Sequence, residues 1–267
     1  MDSPVVVDSA TRLGPGARGA VAVCGSHGGV YAGWLAAKAG VRAIVLNDAG
    51  IGRHSAGTAG VAWLDSLGIA ACAVDYRSAR IADGADMLAN GVISVANATA
   101  AHHGCLPGHS CRKAVDCLLE HAERSEGEVP DIGEARARIA NSGHRTVWAI
   151  DSMSLARDSD ARAIVLTGSH GGLLGGKADA ILPMDIFAAF FNDAGGGKDD
   201  AGFARLPVLD ARGVAAGTVS HNTARIGDGR STYETGVLSR VNESARRLEL
   251  REGMSAREAV ARLVGLG

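Results

Sequence analysis

Residues 25–29 read Gly25-Ser26-His27-Gly28-Gly29, and residues 168–172 read Gly168-Ser169-His170-Gly171-Gly172. The two stretches are identical and lie 143 positions apart (169 − 26). Upstream, Asp8-Ser9 recurs at the same displacement as Asp151-Ser152. Downstream, Asn47-Asp48-Ala49-Gly50 recurs as Asn192-Asp193-Ala194-Gly195, now displaced by 145 (193 − 48), so two residues are inserted after the first motif. That register then holds. Ala79-Arg80-Ile81 with Asp83-Gly84 becomes Ala224-Arg225-Ile226 with Asp228-Gly229, and Gly91, Asn97, Ser110 and Arg112 map to Gly236, Asn242, Ser255 and Arg257. A fixed register over this length is the signature of an internal repeat.

Three segments follow: a first α/β repeat over residues 1–118, a linker over 119–147 expected to be helical and surface-lying, and a second α/β repeat over 148–267. Short apolar runs such as Val5 to Val7, Ala20 to Cys24, Ala43 to Leu46 and Ile69 to Val74 read as buried strands. Their counterparts fall near Val147, Ile164, Phe187 and Val214. Residues 30–39 and 59–67 suit crossover helices, and residues 85–103 and 230–248 are expected to form one longer helix in each copy. Ser110 and Ser255 sit where N-caps belong. The expected fold is α/β, internally duplicated and pseudo-twofold, each half a mostly parallel sheet flanked by helices.

Composition limits function. With 267 residues and 46% hydrophobic content, the chain can bury a substantial core. The net charge of −2, with both signs interspersed, lacks the basic footprint of a nucleic-acid binder. The most apolar stretch, near residues 20–46, contains His27, Lys38 and Arg42, so no membrane span is expected. The N-terminus Met-Asp-Ser-Pro lacks a signal-peptide pattern, and a cytoplasmic location is expected. The five cysteines include no Cys-x-x-Cys pair and all lie in the first half, which reads as reduced thiols.

The recurring polar motifs fall at the inferred carboxyl ends of strands, where open α/β sheets bind ligands. Ser26, His27 and Asp48, with Ser169, His170 and Asp193, are the candidate catalytic residues: an imidazole oriented by a carboxylate activates a serine. Gly28, Gly29, Gly171 and Gly172 read as a turn whose N–H groups point at an anion. The same glycines also read as a plain turn, with the serine as cap and the histidine bonded to backbone. Asn47 and Asn192 complete the motif, or form Asx turns. Arg80 and Arg225 offer bidentate forks for a substrate carboxylate, with Asp83 and Asp228 beside them; the alternative is an internal ion pair.

His102, His103, Cys105, His109 and Cys111 have zinc-ligand chemistry, yet the second copy has no counterpart, so no metal site is assigned there. Internal repetition also brings to mind three-repeat ring-opening amidohydrolases, whose serine and lysine pattern is not matched, since neither Lys38 nor Lys177 recurs in register. No resident cofactor is expected, with a divalent metal held by His27 and Asp48 as the alternative. The leading expectation is a hydrolase of the amidohydrolase kind, acting on an amide, ester or cyclic amide that bears an anionic group. Two others stand beside it: a lyase or isomerase that removes a proton next to a carboxylate, and a non-catalytic small-anion binder. The expected partners are a small-molecule substrate and further copies of the chain in a homo-oligomer, with no nucleic acid and no membrane.

Overall fold

The computed structural model describes residues 3–125, 127–141, 145–177 and 185–265. The apolar runs form two sheets. The first has the order β1 (Val5–Val7), β2 (Val21–His27), β3 (Ala43–Asn47), β4 (Ala70–Val74) and β5 (Ile93–Ala96). The first four strands are parallel and β5 closes the edge antiparallel. The second sheet runs β11 (Leu238–Val241), β10 (Ala215–Val219), β9 (Ala188–Asn192), β8 (Ile164–His170), β7 (Thr146–Ile150) and β6 (Arg136–Asn141). Its four central strands are parallel, and both edge strands are antiparallel.

Helices cover both faces of the first sheet, which is why its strands read as continuous apolar runs. Ala22, Ile44 and Ala71 pack with residues of α1 (Val30–Ala39) and α2 (Ala59–Asp65). The alternate residues Val21, Ala43 and Ala70 pack with Met87 of α3 (Gly84–Asn90), Ala100 of α4 (Ala98–His102) and Leu118 of α5 (Cys111–His121). The second half repeats the order of α2 to α5 with α6 (Arg205–Ala211), α7 (Gly229–Thr235), α8 (Glu243–Arg247) and α9 (Ala256–Val264), and where α1 stands in the first half its described residues hold a single 3-10 turn, Leu174–Gly176. Among the described residues, no helix is long and apolar enough to cross a membrane.

Two expectations from the sequence are corrected. Residues 85–103 and 230–248 are not single helices. In the first copy α3 ends at Gly91, and the β-branched run that follows supplies β5; Asn97 then caps α4 by accepting from Ala100 N at 2.8 Å. The second copy breaks the same way, at Gly236, β11 and Asn242. A β-branched run beside a free sheet edge pairs rather than coils. The described residues of 119–147 are not helical either. Apart from the end of α5, those before β6 form neither helix nor strand, with Gly127, Pro130 and Gly133 unfavourable to a helix, and the alternation across Arg136-Ala137-Arg138-Ile139 then forms β6. The expected caps Ser110 and Ser255 do accept from Lys113 N and Glu258 N, each at 3.2 Å.

The parallel strands follow strict sequential order, so neither sheet has the reversal of strand order that creates a ligand crevice. The strand ends of the two halves meet each other instead. Arg53 N donates to His221 O at 2.7 Å, and the corresponding Lys198 N donates to Tyr76 O at 2.9 Å. Ala49, Ile81, Ala194, Ala201 and Ile226 form an apolar cluster drawn from both halves. Reciprocal contacts of this kind are what a twofold relation produces.

Candidate functional site

Ser26-His27 and Ser169-His170 lie within the strands, as the last two residues of β2 and β8, rather than in the turn beyond. Ladder pairing is interrupted between Val23 and His27, and again between Leu166 and His170. This irregularity re-aims the final side chains, as bulges beside functional sites do.

Each imidazole is then fixed by its own backbone. His27 Nδ1 accepts from Gly29 N at 3.1 Å, and His170 Nδ1 accepts from Gly172 N at 3.1 Å. A Cβ at position 29 would stand 2.6 Å from that Nδ1, so the fold-back requires glycine. With Nδ1 an acceptor, the ring proton resides on Nε2. Burial pushes the His27 pKa down to about 4. His170 is pushed to about 3 by burial, by the charge of Arg205 and by His27 itself. Both rings are therefore neutral at pH 7, each with an Nε2–H donor.

The two histidines line one cavity of about 290 Å³, one from each half. Ser26 and Ser169 line it too; their Oγ atoms accept from Ala10 N at 2.9 Å and from Met153 N at 3.0 Å. The cavity's acids come from elsewhere. Glu134 belongs to the connection between the halves, which Trp34 Nε1 holds by donating to Pro130 O at 2.8 Å. Burial pushes its pKa up, hydrogen bonds from Tyr31, Ser152 and Ser154 oppose the shift, and the Asp151 carboxylate adds to it. Asp151 is also raised by burial, although Ala135 N and Gly229 N donate to it at 2.7 and 3.1 Å. An adjoining space of about 360 Å³ shares His27, Tyr31, Glu134 and Asp151 and extends to His54, Arg225 and Asp228.

The other sequence candidates are placed differently. The N–H groups of Gly28 and Gly171 donate to Asn47 O and Asn192 O, and those of Gly29 and Gly172 to the imidazoles, so these four donors are not presented to an anion. Asp48 accepts from Gly50 N and Tyr76 N, each at 3.0 Å, rather than from His27. Asp193 pairs with His221 Nδ1 at 2.9 Å rather than with His170. Asn47 and Asn192 are buried, each accepting from the N–H two residues on at 2.9 Å, an Asx turn. Arg80 is held by Asp83, Asp86 and Asp199, and Arg225 by Asp228. The serine, histidine and aspartate motifs are thus near one another without forming a triad.

Cys105 Sγ donates to Ala114 O at 3.3 Å, and His109 Nε2 lies 3.1 Å from Lys113 Nζ. Among the described residues, no group of three or more His, Cys, Asp or Glu side chains is placed to hold a metal ion.

Sequence reasoning missed Tyr31, Glu134 and Arg205 as cavity residues, and placed Asp151 among the motifs at the strand ends without giving it a role. Asp151 carried a signal, because Asp8-Ser9 and Asp151-Ser152 recur in register. Arg205 carried one in its divergence from Gly60, its counterpart at the 145 displacement. Glu134 carried none, since it lies outside both copies. Comparison with protein-family models, curated proteins and solved structures gives no match.

Proposed function

We propose that this chain is a small-molecule hydrolase of an amide, ester or cyclic amide, with one site shared by two halves that arose by duplication. The observation that carries the reading is the pair of neutral imidazoles, His27 and His170, lining one cavity with their Nε2–H groups available as donors. Two fixed, neutral donors stabilise a developing oxyanion without first losing a proton to it.

The hydrolysis follows from the groups present. Glu134, ionised, takes a proton from a water molecule as that water's oxygen attacks the carbonyl carbon. The carbonyl oxygen gains charge against the two imidazole N–H groups. The C–N or C–O bond then breaks, and the proton returns from Glu134 to the leaving group. Water is the nucleophile in this reading, because among the described residues no carboxylate or imidazole is hydrogen-bonded to Ser26 or Ser169, whose Oγ atoms accept from backbone N–H groups. A raised carboxyl pKa suits a group that must both accept and return a proton.

The test is turnover of a panel of esters, lactones, linear amides and cyclic amides, with His27→Phe and His170→Phe as controls. Loss of one donor is expected to lower kcat by about 10²–10³-fold. Unchanged kcat in the double variant would remove the histidines from the mechanism.

A second reading has a specific observation behind it: Glu134 lines the same cavity as the two neutral imidazoles, and a carboxylate base with neutral donors equally suits proton removal next to a carbonyl. Deuterium exchange from solvent into a bound substrate that is not cleaved would favour the lyase or isomerase; its absence alongside cleavage favours the hydrolase. The reading also carries a cytoplasmic homo-oligomer; the five free thiols suit a reducing compartment, and light scattering tests the assembly.

A further inference from the structure

Arg80 and Arg225, the arginines whose position in the motifs suggests a substrate clamp, are both paired with aspartates. Another arginine is not. Arg205, the first residue of α6, is 6% exposed and lines the cavity that holds the two histidines. Its Nε donates to Gly172 O at 2.9 Å, and its guanidinium lies 5.4 Å from the Phe191 ring. Gly172 therefore bridges two cavity groups, donating its N–H to His170 Nδ1 and accepting at its carbonyl oxygen from Arg205 Nε. Among the described residues, no Asp or Glu forms an ion pair with Arg205.

A buried charge without a counter-charge is strongly unfavourable. Burial lowers the Arg205 pKa only to about 10, so the guanidinium stays charged at neutral pH. The Phe191 face offsets part of the penalty. The remainder calls for an anion that arrives with the ligand.

We propose that Arg205 is the anion-binding residue of this cavity and receives the single carboxylate of a small substrate on its two Nη groups. Nε is already engaged by Gly172 O, so the carboxylate meets the guanidinium end-on, with one oxygen on each Nη. Glu134 and Asp151 line the same cavity and disfavour a dianion, which selects a monocarboxylate over a phosphate monoester. The cavity's size, about 290 Å³, restricts the ligand to a small molecule.

The site is one-sided. The corresponding first-half position is Gly60, where a Cβ would lie 2.3 Å from Gly29 O, so no side chain fits. One half thus anchors the carboxylate beside His170. The connection packed on the other half supplies Glu134, and the ligand is bound in one orientation. This deepens the hydrolase reading by naming the substrate's charged group, and rests on that reading only for the reaction that follows binding.

Binding is tested without turnover. Calorimetric titration and thermal melting at constant ionic strength compare acetate, propionate and lactate with acetamide, propionamide and lactamide, and with sulfate. The carboxylates are expected to bind and raise Tm while the amides do neither. Arg205→Gln is expected to weaken propionate binding at least about 30-fold, with Arg205→Lys intermediate because it keeps the charge but not the fork. Should Arg205→Gln not fold, the arginine side-chain ¹⁵N signals of the unsubstituted protein provide the readout, and propionate is expected to shift one buried resonance. Equal binding of acid and amide, preference for sulfate, full binding by Arg205→Gln, or an unmoved arginine spectrum overturns the proposal. A silent hydrolase assay does not affect this result, and failed carboxylate binding removes the anchor without removing the hydrolase reading.

Discussion

His27 and His170 occupy the final positions of β2 and β8, and each accepts at Nδ1 from the N–H two residues further on, at 3.1 Å in both halves. This local bond fixes which nitrogen carries the proton, and the burial of the two strand ends keeps that proton state over the physiological range. The neutrality of the pair has consequences that can be measured.

The first concerns pH and stability. In the folded chain the two rings gain a second proton only below about 4 and about 3, whereas in the unfolded chain an imidazole does so below about 6.5. Between those values the unfolded state binds more protons, so the unfolding free energy rises with pH. The stabilisation is fully present above pH 6.5 and is lost as pH falls towards 4. For His27 alone the swing is on the order of 3 kcal/mol. Urea unfolding at a series of pH values, for the parent and for a His27→Gln, His170→Gln variant, isolates this component. The parent is expected to lose more stability on acidification than the variant; equal losses would mean that the rings are not held neutral.

Glu134 is expected to separate activity from stability. Its carboxyl is pushed above the ordinary range chiefly by burial, so the folded state holds its proton more tightly than the unfolded state and stability declines as pH rises. Glu134→Gln should therefore leave Tm at pH 7.5 unchanged or higher while lowering kcat by about 10²–10⁴-fold. The acid limb of the parent's pH–rate profile should lie above the usual carboxylate range. A variant that loses both stability and activity would point to a structural role for Glu134.

Contact between the halves is predicted to depend on Gly195. It has φ +79°, and a Cβ there would lie 2.6 Å from Tyr76 Cε2, across the boundary from β9 to the loop after β4. Gly195→Ala meets both the left-handed backbone and the ring, and is expected to destabilise the fold by about 2–4 kcal/mol. Gly213→Ala is the control, because it shares the backbone strain at φ +71° but meets nothing within 4 Å. Equal melting temperatures for the two variants would show that the Tyr76 contact is unimportant.

The sequence revealed the parts of the structure that depend on local pattern. The parallel strands were legible because sheets covered on both faces need continuous apolar runs, as in Ala43–Asn47 and Ala188–Asn192. The caps Ser110 and Ser255 were legible because capping is a three-residue interaction. β5 and β11 were hidden, since Ile93–Ala96 and Leu238–Val241 become strands only through pairing with β4 and β10. The recurring motif identified His27 and His170, but the identity of their partners depended on distances between strand ends. Thus Asp48 binds the backbone N–H of Tyr76, and Asp193 binds both the backbone N–H and the imidazole of His221, so neither orients His27 or His170. Glu134 enters from a segment with no counterpart in the other half, and Arg205 from a position that is glycine there.

The most direct test is the tautomer of the two histidines, read from long-range ¹H–¹⁵N correlations of the imidazole rings, assigned with His27→Gln and His170→Gln, between pH 8 and pH 5. Both rings are predicted to show a protonated Nε2 and an unprotonated Nδ1, unchanged across the range. A protonated Nδ1 on either ring, or titration near 6.5, would contradict the paired neutral donors on which the proposed mechanism rests.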